Sequence, residues 1–208
     1  MMSKSNGQRR SRVGTLIPFR RAEASNAGAS DEVLIAACAI SDCGAMGTLF
    51  DRHNETVYRF LHRLMGEPSA DLDDMVHGTF LEAFRSAGRF RGSSSVKSWL
   101  FGIAVNVSRH HVRAEMRRRA FLKSWAEREQ PRALQPDHEI EERDLLARIG
   151  PALASLPHKL RVVFILSDLE ELSNIEAAKA LGLPAGTFGR RLYEARQALR
   201  AVLQEVGK

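Results

Sequence analysis

The chain has 208 residues, 44% hydrophobic and 27% charged, which bounds it to one large soluble domain or two small ones. Its net charge of +6 gathers in the N-terminal tail, after Asn106 and near the C-terminus, the pattern of a protein that meets a polyanion in patches. The two cysteines, Cys38 and Cys43, exclude a disulfide framework and match no zinc spacing, and no apolar run approaches the roughly 18 residues of a membrane span.

Residues 1–30 are rich in Arg, Ser, Gly and Asn, with Glu23 the one acid before Asp31. This composition predicts a disordered basic tail. It also resembles an organelle transit peptide, a weaker reading for this chain. A short helix is predicted from Asp31 to about Ile40, and a turn over Ser41–Gly44. A longer helix runs to Met65, with Met46, Leu49, Phe50, Val57, Phe60, Leu61 and Leu64 as its apolar stripe. Both cysteines are expected as small core residues in a reducing compartment.

The most informative stretch runs from Asp71 to Arg119. Leu72, Met75, Val76, Thr79, Phe80, Ala83, Phe84 and Ala87 recur at helical steps, while Asp71, Asp73 and Asp74 crowd the first turn, where the helix dipole favours negative charge. Gly78 is out of place, because a mid-helix glycine costs about 1 kcal/mol against alanine. After Gly92 a serine run supplies a cap at Ser94 or Ser95 for a second helix. Its core face is Val96, Trp99, Leu100, Ile103 and Val107. Phe101, Val105 and Arg109 fall on roughly the opposite side, and Arg113 and Arg117 continue that row. An apolar patch running into arginines suits unstacked bases followed by phosphates. A central helix packed on both sides and ending in solvated charge fits the same periodicity.

From Trp125 to Asp144 the chain carries Pro131 and Pro136 among clustered acids, which predicts an extended linker. Its acidity suits either a solvated tether or a mimic of a nucleic-acid strand. Beyond it Leu145, Leu146, Ile149, Leu153 and Leu156 make a stripe that Gly150-Pro151 is expected to break or kink. A helix is predicted over Lys159–Glu170. Ser173-Asn174-Ile175-Glu176 is a capping box that opens a short helix, Gly182 is a turn residue, and Pro184 sits near the start of a long final helix. Short helix, glycine turn and long basic helix make a helix-turn-helix pattern. On the final helix Phe188, Leu192, Ala195, Leu199, Val202 and Leu203 face the core. Gly186, Thr187, Arg190, Arg191, Glu194 and Arg196 are left for DNA, where arginine pairs with guanine or phosphate and glutamate accepts from cytosine, or for the ordinary charged face of a surface amphipathic helix.

These segments together resemble the extracytoplasmic-function (ECF) branch of the bacterial RNA polymerase sigma-70 family. Region 2 of that family is matched by Leu49-Phe50-Asp51-Arg52, Asp73-Asp74-Met75-Val76, Thr79-Phe80, Phe90-Arg91-Gly92, Ser95, Trp99-Leu100, Ile103-Ala104, Asn106 and Arg109. Region 4 is matched by Leu156-Pro157, Arg161, Val163-Phe164, Leu172-Ser173, Ala178, Leu181-Gly182, Pro184, Gly186-Thr187, Arg191-Leu192 and Ala195-Arg196. The chain departs from the pattern at His77-Gly78, where Gln-Glu is usual, and at Gly102, where a larger and often basic residue is common. Gly189, Ala177 and Ile175 are further departures.

The resemblance implies an all-α fold of two small helical domains joined by a flexible linker: a tail over 1–30, region 2 over 31–122, an acidic linker over 123–143 and region 4 over 144–208. It implies that Asp71, Asp73, Asp74, Val76 and Phe80 dock on the polymerase. Phe90, Ser93, Ser94, Trp99, Phe101 and Asn106 would shape a site for the melted minus-10 strand, with Arg109, Arg113 and Arg117 on its phosphates. Val76 and Phe80 also read as plain core, and for Trp99 plain core is the stronger reading. The implied partners are core RNA polymerase, promoter DNA and an anti-sigma protein, in a bacterial cytoplasm with sequestration at the inner membrane as an option. No catalytic constellation, cofactor motif, metal site or small-molecule substrate is expected. A helix-turn-helix repressor or activator working without polymerase, or a sigma-like decoy, is the alternative.

Overall fold

The computed structural model describes residues 26, 28–66, 71–125 and 144–206, and within them every regular element is helical. Nearly all of the basic tail and of the acidic linker lies outside the described residues, as do the side chains of Arg119, Leu145, Leu146 and Ile149.

Local signals set most of the helix ends. Ser30 caps α1 (Asp31–Ala39) by accepting from the Val33 N–H at 3.4 Å. Asp42 caps α2 (Cys43–Met65) by accepting from Gly44 and Ala45 at 2.8 and 3.1 Å. Gly66 ends α2 in the left-handed region at φ 78°, where a side chain would be strained. The predicted stripe of α2 is buried apart from half-buried Phe50. Of the cysteines only Cys38 is in the core; Cys43, the first residue of α2, is exposed. Burial pushes the Cys38 thiol up to about 11, with Asp42 and Cys43 adding to the rise.

Helix α3 (Leu72–Ser86) leads through a tight turn at Ala87–Arg89 and the serine run into α4 (Val96–Trp125). Ser95 is the cap, accepting from the Ser98 N–H at 3.2 Å. Of the two arrangements the periodicity allowed, the first half of α4 has the one packed on both sides: Phe101 and Val105 are as buried as Leu100. Phe101 stacks on Phe60 of α2, ring centroids 4.4 Å apart, so α2 covers the side that carries Phe101.

In the C-terminal half α5 (Asp144–Ser155) continues unbroken past Pro151. Gly150 brings no Cβ against the proline ring, which removes part of the usual clash at the preceding residue. Next, α6 (His158–Phe164) passes into a single π-helical turn at Ile165–Leu169, marked by the Glu170 N–H donating to the Ile165 carbonyl at 2.9 Å. The predicted capping box is present at the start of α7 (Asn174–Ala180): Ser173 Oγ accepts from the Glu176 N–H, and Glu176 accepts from the Ser173 N–H. Gly182 turns the chain at φ 63° into α8 (Ala185–Val206). Phe188, Leu192, Ala195 and Leu199 face inward as expected, while Leu203 is exposed.

The two helical groups share one apolar cluster that extends from Leu34 and Ile35 to Leu192 and Leu199. Helix α4 lies at the junction, packed on α2, α3 and α7.

Candidate nucleic-acid interface

The acidic end of α3 is a surface feature. Asp71, Asp73 and Asp74 are exposed, and His111 Nε2 of α4 stands 3.5 Å from Asp71 Oδ2. Val76 and Phe80 are not part of that surface. Both are buried, and Phe80 meets Phe50 edge-on with ring centroids 4.9 Å apart. The residues beside the aspartates that do face outward are His77 and Leu81, the latter 54% exposed. Leu81 was passed over because it lies off the apolar stripe; that offset is itself the signal, since an off-stripe leucine on an acidic face has no core to fill.

The serine-rich turn and the first half of α4 form a second surface. Phe90 and Trp99 are half-buried against each other, centroids 5.2 Å apart and planes tilted by 56°. Ser93 is exposed and Ser94 half-buried. Phe101 is fully buried and presents no face to a base, so its expected place in the strand site is corrected to core. Asn106 is exposed, its amide oxygen 3.5 Å from the Arg109 guanidinium. Arg109 is half-buried, and Arg113 and Arg117 are exposed further along the helix. Burial lowers the Arg109 pKa from its ordinary value, and the charges of Arg191 and Arg113 lower it further.

The third surface is the start of α8. Gly186 and Arg190 are exposed, and Thr187 and Arg191 half-buried. Arg190 donates to Glu194 at 3.0 Å, one turn on. Arg196 is held away from the others by a forked pair with Asp168, at 2.9 and 3.2 Å. Arg191, 82 residues further along the chain, is near enough for its charge to act on Arg109.

Sequence reasoning missed the polar groups along this seam. Lys179 Nζ of α7 donates to the Ser93 carbonyl. Arg63 and Lys97 pair with the nearly buried Glu170 at 2.9 and 3.1 Å. They line a cleft of about 430 Å³ together with Arg52, His53, Thr56 and Arg59. None of these pairings has a local sequence signal, since the partners lie far apart in the chain. Among the described residues no group of three or more His, Cys, Asp or Glu side chains is arranged to hold a metal ion, and no helix is long and apolar enough to cross a membrane.

Comparison with known proteins agrees with this geometry. The sigma-70 region 2 family model matches residues 49–118, and the sigma-70 region 4 model matches residues 146–199. The RNA polymerase sigma-H factor of Pseudomonas aeruginosa is 31% identical over 163 residues, covering 71% of this chain and 84% of that protein. The ECF RNA polymerase sigma-E factor of Escherichia coli K12 is 29% identical over 181 residues, covering 82% and 92%. Among solved structures, CnrH in complex with the cytosolic domain of CnrY matches with a TM-score of 0.59 and 27% identity, over 84% of this chain and 97% of that one.

Proposed function

The chain belongs to the ECF branch of the sigma-70 family and is a sigma factor, and from that premise we propose how its surfaces divide the work of promoter recognition. The single observation that carries the reading is the order of two matched regions, with a capped helix-turn-helix in the second whose leading face holds Arg190 and Arg191. Its partners are core RNA polymerase, promoter DNA and an anti-sigma protein.

We assign residues 31–122 to region 2, 123–143 to a linker and 144–208 to region 4. The acidic face of α3 docks the polymerase through Asp73 and Asp74, with Asp71 at its rim. Val76 and Phe80 contribute from beneath by fixing the helix, and Leu81 supplies an apolar contact. Carboxylates around an exposed leucine suit a basic helical partner with an apolar centre. The minus-10 strand lies along Ser93, Ser94, the Phe90–Trp99 pair and Asn106, whose amide can both donate and accept. Arg109, Arg113 and Arg117 hold its phosphates, which gives affinity without sequence information. In region 4, Gly186 and Thr187 let the start of α8 approach the major groove. Arg190, Arg191 and Glu194 read base edges, and Arg196 braces α8 through Asp168. The protein acts by binding, with no catalytic step of its own. It works in the bacterial cytoplasm, where the polymerase is, and an anti-sigma protein anchored in the inner membrane would hold it there.

Transcription with purified core polymerase on a pooled promoter library tests this directly. Specific initiation that depends on the protein supports the reading and yields the promoter sequence. Duplex binding without initiation would replace it with a repressor or decoy.

A further inference from the structure

We propose that the cleft lined by α2, α4 and the π-helical turn binds a small molecule carrying a chain of phosphate groups, either a nucleoside polyphosphate or an inorganic polyphosphate. Its volume, about 430 Å³, falls in the range of pockets for nucleotide-sized ligands. One wall is α2, where Arg52, Thr56, Arg59 and Arg63 recur at steps of four, three and four residues and so share a helix face. At 1.5 Å of rise per residue, the three guanidinium-bearing positions spread along roughly 16 Å of helix axis. Lys97 of α4 supplies a second wall, and Leu169 and Glu170 of the turn a third.

The charge of the cleft is not balanced from within. Four cationic side chains line it against one carboxylate, Glu170. That carboxylate is 7% exposed and takes both Arg63 at 2.9 Å and Lys97 at 3.1 Å, so two positive charges share one negative. The pairing holds both cations in place before a ligand arrives, which lowers the ordering cost of binding. Lys97 is fixed further by the Phe101 ring, its Nζ 5.3 Å from the ring centroid. Arg52 and His53 are tied to Asp31 at 2.8 and 2.6 Å. Arg59 is the loosest member. Its Nε stands 4.0 Å from exposed Glu55, a pairing that contributes little in water. The Thr56 hydroxyl, on a half-buried side chain, makes no hydrogen bond among the described residues.

These groups select the ligand. Planar guanidinium forks match phosphate oxygens bidentately, and a hydroxyl adds a neutral donor. Cations spread over three helical turns fit chained phosphates better than a single one. A nucleic-acid strand is disfavoured, because strand grooves carry aromatic faces for stacking, and the apolar residue lining this cleft is Leu169. None of the lining residues belongs to the polymerase, strand or duplex surfaces assigned above, so the site goes beyond that reading.

Calorimetric titration of the full chain tests this, at moderate salt and without divalent cations, with inorganic tripolyphosphate, ATP and AMP as probes. Tripolyphosphate and ATP are expected to saturate a single site, and AMP to bind about tenfold more weakly or worse. Tighter binding of ATP than of tripolyphosphate assigns the site to a nucleotide; equal or weaker binding assigns it to inorganic polyphosphate. Arg59→Glu is expected to lower the affinity for the preferred probe about tenfold or more. Arg200→Glu makes the same charge change at an exposed position on α8 and should leave that affinity within about twofold. Thr56→Val keeps the side-chain shape and should cost about threefold; if Arg59→Glu loses its helical circular dichroism, this variant decides. No saturable binding of any probe overturns the proposal. Equal losses in Arg59→Glu and Arg200→Glu also overturn it, because binding would then follow net charge and not the cleft. AMP bound as tightly as ATP removes the phosphate chain from recognition and sinks it as well. A fluorescein-labelled single-stranded DNA that loses affinity with Arg59→Glu, while tripolyphosphate fails to bind, would make the cleft a strand groove instead.

Discussion

Arg161 of α6 donates to the Leu64 carbonyl of α2 at 2.9 Å, across the seam between the two helical groups. The same guanidinium meets Met65, Ala154 and Leu156, so one cation satisfies the last carbonyls of α2 and of α5. Positive charge is favoured at both ends by the helix dipoles, and the planar fork spans two directions that an ammonium cannot. Its Nε atom is buried without a partner. Arg161→Gln is expected to lower the unfolding free energy by about 2–3 kcal/mol. Urea melts check this, and a loss under roughly 0.5 kcal/mol would show that the fork contributes nothing.

Acid should act through His158. Burial lowers its pKa to about 4 from 6.5, and the charges of Arg109 and Arg161 add to the fall. Ser108 gives its one hydroxyl proton to the Val105 carbonyl at 2.9 Å, so the neutral His158 ring meets it as an Nε2–H donor. The unfolded ring binds a proton near pH 6.5, which the folded ring refuses until about pH 4. Stability from this group is therefore complete above pH 6.5 and is lost as pH falls toward 4, by on the order of 2–3 kcal/mol. The His158→Gln variant should show a flatter stability profile over that window. Parallel profiles for the two proteins would rule the ring out.

Phe101 is a packing residue in this fold, and the two kinds of substitution separate packing from base contact. Phe101→Ala is expected to cost about 3–5 kcal/mol by leaving a cavity against Phe60. Phe101→Leu should keep most of the stability and all of the strand affinity. A clear loss of strand binding in a stable Phe101→Leu protein would restore the ring to the DNA site.

On α3, Asp74→Arg and Leu81→Ser are each expected to weaken binding to core polymerase about tenfold or more, near 1.4 kcal/mol, with thermal melting unchanged. Both side chains are exposed, so folding is not at stake. Wild-type polymerase affinity in both variants would move the docking face elsewhere.

The arginines should divide by what they read. Arg113→Ala is expected to weaken binding alike on all sequences and to reduce the salt slope by about 1, as loss of a phosphate contact does. Arg190→Ala should relax the preference at one position of the minus-35 element by about 1–3 kcal/mol. Selection from a randomised duplex pool checks both. An unchanged preference with Arg190→Ala would leave base reading to Arg191 and Glu194.

Much of the helical framework is written locally. The Ser173–Glu176 box, the stop at Gly66 and the stripe from Met46 to Leu64 involve residues within a few turns of one another, and the structure has each of them where periodicity and capping chemistry place it. The same reasoning marks Asp73, Asp74, Asn106, Arg113 and Arg190 as polar residues off the core face, and all five are exposed. It placed Phe101 in the strand site, where the structure has the ring in the core, because position on a helix shows which side is apolar and not what covers that side.

The sequence by itself determined an all-helical chain, its helix-turn-helix and the ordered pair of regions that marks the family, since these depend on local period, caps and breakers. Only the tertiary structure decided that α4 is buried on both faces, that Arg161 closes two helix ends, and that Gly102 meets Ala180. Those outcomes depend on which distant helix fills a given face. A backbone approach as close as that at Gly102 exists only once two helices, joined through some 80 intervening residues, have come together.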